Sequence, residues 1–149
     1  MRRERGFTLI ELLVVFGIMA LVIGLAPVAF DRMRDSAQYR DTVRTMLSQM
    51  RGARYRAIAE GRETRFFVNL NQRMYGVDGG PSRSLPEALQ MRATVAGIEL
   101  TSKGDASIRF LPGGGATGGS IEVLRSSGAG TRLRVDWLSG RVTQEALAP

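Results

Sequence analysis

The chain of 149 residues has no cysteine and no histidine, and Lys103 is its only lysine. Without cysteine there is no disulfide and no thiolate nucleophile. Without histidine the commonest general base is missing, and zinc sites built from these two residue types are excluded. Aromatic residues make up only 7%, with Trp137 the single tryptophan. Hydrolytic chemistry of the common kinds therefore has little to work with. What the chain has in place of these is arginine, which supplies all but one of its 21 basic residues. Against 14 acidic residues this leaves a net charge of +7. All but one unit of that charge lies beyond residue 30. The length suits one modest domain with a single core.

The first thirty residues have their own pattern. Arg2, Arg3 and Arg5 stand against Glu4, and residues 12–30 then run without a charge. At about 1.5 Å per residue a helix of that length spans roughly 28 Å, close to the hydrocarbon thickness of a bilayer. The arginines precede it, which predicts a cytoplasmic N-terminus and an exported remainder. A cleaved signal peptide is the alternative, but the run is long for an h-region and no clean A-x-A site follows. Glu11 fits neither a signal peptide nor a plain anchor. A carboxylate near the hydrocarbon costs roughly 2.5–3.5 kcal/mol on insertion scales, and the apolar run holds no cation to pair with it. Either it sits at headgroup level, or a neighbouring subunit supplies the positive group.

Gly6-Phe7-Thr8-Leu9-Ile10-Glu11, continuing through Leu12, Leu13, Val14 and Val15, resembles the class III signal of type IV pilins and type II secretion pseudopilins. The resemblance implies that a prepilin peptidase cuts between Gly6 and Phe7. It further implies that the new amino group of Phe7 is methylated and that the apolar helix is retained. In this family the carboxylate matching Glu11 attracts the N-terminal amine of an adjacent subunit, which would supply the missing partner.

Beyond residue 30 the composition turns polar while helical periodicity persists. Met33, Ala37, Val43, Met46, Leu47, Met50, Ala53, Ala57 and Ile58 predict one apolar stripe, with arginines and aspartates on the other faces. A helix over 7–60 would be about 80 Å long, with a bend expected at Pro27 and Gly61 as its C-cap. The pattern then becomes β. Strands are expected at 64–70, 74–77, 93–101, 107–111, 120–125, 131–138 and 141–144, with 78–86 a loop and a tight hairpin at Ser139-Gly140. Alternation predicts Arg132, Arg134 and Asp136 on a wet face and Leu133, Val135 and Trp137 on a buried one. The expected class is α+β: a long N-terminal helix packed on a small antiparallel sheet.

The run from Phe110 to Ile121, through Pro112-Gly113-Gly114-Gly115-Ala116-Thr117-Gly118-Gly119, is similar to the strand–loop–strand signature of H-type minor pseudopilins, the GspH/FimT family. The hairpin around Trp137-Leu138-Ser139-Gly140-Arg141 and the Arg- and Ala-rich helix end near Arg54 are also similar. Gly113, Gly115 and Gly118 satisfy G-x-G-x-x-G literally, but a strand is expected after them, whereas a dinucleotide fingerprint opens a helix. Gly113, Gly114, Gly115, Thr117 and Gly118 are instead candidates for a flexible, partner-contacting loop, as is 78–86. Lys103 stands in a turn with nothing to desolvate it, and no constellation meets the criteria of an active site. No cofactor is expected.

The resemblance implies a minor pseudopilin of type II secretion, near the tip of a periplasmic fibre, with other pseudopilins, the peptidase and the inner membrane as partners. Exoprotein cargo is a further candidate partner. Residues 1–6 would be the leader, 7–30 the transmembrane assembly helix, 31–61 its amphipathic continuation and 62–149 the periplasmic β domain. The rival implication is a FimT-type pilin that binds DNA for uptake, with Arg141 as the contact. Glu145 close by and the uncharged end 146–149 depart from that pattern.

Overall fold

The computed structural model describes residues 8–96 and 105–149, and the side chains of all of these except 25–32. Two compact units are present, Met1–Ala37 and Gln38–Pro149. One helix, α1 (Leu9–Glu60), contributes to both. It ends where Gly61 takes a positive φ of 63°, the left-handed C-terminal position that glycine occupies without strain.

In the first unit the apolar side chains of α1 from Leu9 to Ile23 are all exposed. Among the described residues no helix is long and apolar enough to cross a membrane. The described side chains of this stretch stop at Gly24, so the expected span falls partly on 25–32, as does the bend at Pro27.

The second unit holds the core. From Tyr39 onward α1 buries Tyr39, Val43, Met46, Met50, Ala53 and Ala57, spaced by three or four residues so that they share one face. Met33 is 70% exposed, and Ala37 and Ile58 are exposed too, so the stripe is shorter than expected at both ends. Tyr39 joins it. Its ring packs under the Arg125 guanidinium at 4.0 Å, and its hydroxyl lies 2.6 Å from the Thr131 hydroxyl in a buried hydrogen bond. An aromatic ring with a polar tip can occupy such a position where a purely apolar stripe would fail.

Among the described residues eight strands follow: β1 (Thr64–Asn69), β2 (Met74–Val77), β3 (Arg83–Ser84), β4 (Leu89–Val95), β5 (Asp105–Phe110), β6 (Gly119–Arg125), β7 (Gly130–Val135) and β8 (Val142–Leu147). They form two antiparallel sheets, β3-β2-β1-β5 and β4-β6-β7-β8, in place of the single sheet expected. Both contribute to one core, in which Phe66, Val68, Ile108 and Phe110 of the first meet Leu89, Ile121, Val123 and Leu133 of the second. Full burial of each such side chain stabilises the fold by about 1.5–3 kcal/mol.

Several boundaries depart from expectation. The expected loop 78–86 contains β3, which pairs with β2. It is tied down by the Arg73 guanidinium, which donates to the carbonyls of Pro86 and Leu89 at 3.0 and 2.7 Å. β4 begins at Leu89, four residues before the expected start, and its expected end falls partly on 97–104, outside the described residues. β7 stops at Val135, because Asp136 turns the chain. Trp137 therefore leaves the strand and is 67% exposed, contrary to the burial that alternation predicts. Arg132 and Arg134 do face outward, and register places Arg132 opposite both Glu122 and Glu145. Its Nε and Nη2 donate to Glu122 Oε1 at 3.0 and 2.8 Å.

Because the core closes within Gln38–Pro149, a fragment of residues 31–149 is expected to be a soluble monomer with one cooperative urea transition. Within it, Tyr39→Phe should lower stability by about 1 kcal/mol by leaving Thr131 short of a buried partner. Aggregation of the fragment in light scattering would show that the core needs lipid or a second chain.

Candidate functional site

Two places hold the residues singled out in the sequence. The first is the start of α1. Gly6 and Phe7 lie outside the described residues. Thr8 caps the helix: its Oγ1 accepts a hydrogen bond from the Glu11 amide at 3.3 Å. Glu11 Oε2 in return accepts from the Thr8 amide at 3.0 Å and from the Thr8 hydroxyl at 2.9 Å. This is a reciprocal capping box, which satisfies two otherwise orphaned donors. The carboxylate thus has a local partner that charge counting alone misses, although Thr-x-x-Glu before an apolar run is itself a legible signal.

The second place joins the end of α1, the glycine loop and the β7–β8 turn. Hydrogen bonds hold the glycine loop. Leu111 donates to the Gly115 carbonyl, Gly114 to that of Leu111, Ala116 to that of Trp137 and Thr117 to that of Arg109, each at 2.9 Å. Thr117 Oγ1 also accepts from the Arg109 amide at 3.0 Å. Gly114 and Gly118 have φ values of 90° and 75°, where a side chain would be strained. Gly118 is buried against Trp137 and Thr117 is half-buried, while Pro112 and Gly113 are exposed. The strand β6 follows the glycines, so they open no helix and form no phosphate cradle of the dinucleotide kind.

The turn itself is held by Asp136. Its Oδ1 accepts from the Ser139 amide at 2.8 Å and the Ser139 hydroxyl at 2.7 Å, and its own carbonyl accepts from Gly140 at 2.8 Å. These donors hold the Asp136 carboxyl below its ordinary value, the Ser139 hydroxyl contributing most. Gly140 is buried, with φ at 62°. A Cβ there would collide with the Gly114 carbonyl and crowd Arg54, so only glycine fits. Arg54 Nε donates to the Ser139 carbonyl at 3.0 Å, tying helix to turn. Arg51, Arg54, Ser139, Arg141 and Val142 line a cleft of about 400 Å³. Sequence reasoning named Arg141 but not the two helix arginines that share its cleft. Their i, i+3 spacing puts them on one face, but nothing in the sequence says which turn that face meets.

Comparison with known proteins settles the family. The type II transport protein GspH family matches residues 42–140. The chain belongs to the GspH family of minor pseudopilins. A prokaryotic N-terminal methylation motif matches residues 1–27. Type II secretion system protein H of Xanthomonas campestris pv. campestris is 34% identical over 141 residues, covering 95% of this chain and 83% of that protein. Among solved structures, the minor pseudopilin EpsH from the type 2 secretion system of Vibrio cholerae superposes with a TM-score of 0.56. It covers 75% of this chain and 98% of that one at 15% identity, a likeness of fold. The GspH match spans the glycine loop and ends at Gly140.

The Asp136 bonds fix the sign of a pH effect. A carboxyl held below its unfolded value stabilises the fold above that unfolded value, and this contribution disappears as pH falls through the folded one. Ser139→Ala should therefore raise the Asp136 titration midpoint in a side-chain NMR titration. An unchanged midpoint would mean that the serine does not hold the carboxylate in solution.

Proposed function

We propose that this minor pseudopilin is made as a prepilin, cut between Gly6 and Phe7 and methylated on Phe7. It is then held in the inner membrane by residues 7–30, with residues 31–149 on the periplasmic side. The observation that carries this reading is the methylation-motif match over 1–27, which brackets a basic leader, Gly6-Phe7 and Glu11. The continuous exposure of apolar side chains from Leu9 to Ile23 supports it, since such a surface needs lipid or other helices to cover it. Residues 7–30 join the helical core of a periplasmic fibre, and the β domain lies near its tip. The work is assembly with other pseudopilins for protein export, without turnover.

Glu11 guides docking. Its capping box holds the carboxylate at the helix start, where the cleaved amine of a neighbouring chain can approach. At low dielectric an ion pair of this kind is strong, and an unpaired carboxylate is correspondingly costly. The rival reading, DNA capture at Arg141, would use the cleft that Arg141 shares with Arg51 and Arg54.

Intact mass of the membrane-extracted protein should correspond to a chain that begins at Phe7 and carries one added methyl group. Glu11→Ala should leave that mass processing intact while removing the protein from sheared fibres. A chain that retains residues 1–6 in cells with active peptidase would refute the reading at its first step.

A further inference from the structure

Four arginines of the β domain pair with acids. Arg62 pairs with Glu60, Arg65 with Asp78, Arg109 with Glu63 and Arg132 with Glu122. Arg51, Arg54 and Arg141 are gathered in one place. Among the described residues no carboxylate pairs with any of them, and they line one cleft. Beside that cleft the surface is apolar. Tyr55 is 73% exposed and Ile58 46% exposed on α1, and Leu138 is 71% exposed next to Trp137 on the β7–β8 turn.

These groups form one continuous surface. Arg51, Tyr55 and Ile58 follow one another at helical spacing, and Arg54 stands one turn before Ile58. A Cβ on Gly114 would lie 3.7 Å from Arg54 Nη2 and 3.8 Å from Ile58 Cδ1, so the glycine loop meets this helix face directly. On its other side the loop meets the turn, with the Trp137 and Leu138 carbonyls close against Gly115. Backbone hydrogen bonds fix both loop and turn, so the surface is formed before anything binds. Little ordering entropy is then lost on association.

We propose that this surface docks an acidic protein segment of a neighbouring subunit, one that carries at least two carboxylates beside apolar side chains. The proposal rests on the assembly reading above and adds the place and chemistry of the contact. Carboxylates enter the cleft between Arg51 and Arg141, where guanidinium groups can bind them in bidentate fashion. Apolar side chains cover Trp137, Leu138 and Ile58. Tryptophan, tyrosine and arginine gathered at one spot are the residue types that dominate interface energies. Nucleic acid is the poorer match. Leu138 and Ile58 offer a phosphate backbone nothing, and the three cations share one cleft instead of following a track.

The test places a photoreactive benzoylphenylalanine at Leu138 of the full chain, in cells deleted for their own copy. The expected result is a cross-link to a pseudopilin segment rich in Asp or Glu. Combined Arg51→Glu and Arg141→Glu should weaken that cross-link and secretion by more than about tenfold, and changing the mapped carboxylates to arginine should restore both. The neutral pair Arg51→Gln and Arg141→Gln, with unchanged melting temperature, guards against a folding defect. If the unmodified chain fails to restore secretion, the assembly reading fails. If it restores secretion and the charge-reversed chain does so equally with unchanged cross-links, only the present inference falls. It also falls if the full chain in detergent micelles binds a single-stranded DNA oligonucleotide at about 150 mM salt and charge reversal removes that binding.

Discussion

Burial of one face of α1, from Tyr39 to Ala57, against two sheets at once is the constraint on which the β domain depends. Met46, Met50, Ala53 and Ala57 are fully buried, and the strands that cover them come from both sheets. The helix face and the apolar faces of both sheets share one core. The two alanines let backbone come close, and the two methionines fill the wider gaps with flexible side chains.

That constraint reaches the surface through Arg54. The helix must stop at Gly61 for β1 to begin, so its final turns lie beside the first strand and the loops near it. Arg54 is close enough to bond the Ser139 carbonyl, and Gly140 is glycine because the Gly114 carbonyl and Arg54 already occupy the space around it. The helix end, glycine loop and turn are thus fixed by mutual exclusion and by backbone bonds. The cleft lined by Arg51, Arg54 and Arg141 follows from this packing.

Much of this was legible in the chain. The 3.6-residue recurrence through Val43, Met46, Met50, Ala53 and Ala57 marked the buried face, and Gly61 marked its end. Most strand cores were visible from β-branched and aromatic runs such as Phe66-Phe67-Val68. Two sheets could not be separated from one, because strand partners are set by long-range pairing and local pattern is silent about it. Trp137 was misplaced for a similar reason. Alternation assigns faces only while the strand continues, and Asp136 ends it by accepting two hydrogen bonds from Ser139. An Asp followed three residues later by Ser and then by Gly is a turn signal, and here it outweighs the periodicity on either side.

The same contrast separates the two functional regions. At the N-terminus the chemistry is written in consecutive residues, since a leader, a cleavage point, a cap and a carboxylate all act through local sequence. Thr8 and Glu11 form their box across three residues, so the motif carries its own geometry. At the other region Arg51 and Arg141 are ninety positions apart in sequence, and their common purpose becomes visible only when the fold brings them to one cleft. Arginine abundance concealed them further, because arginines supply all but one of the chain's 21 basic residues. What marks the proposed contact surface is the gathering of three arginines in one cleft beside exposed apolar groups. Net charge alone could not single it out, since Arg132 between Glu122 and Glu145 carries the same charge and leaves none of it to offer.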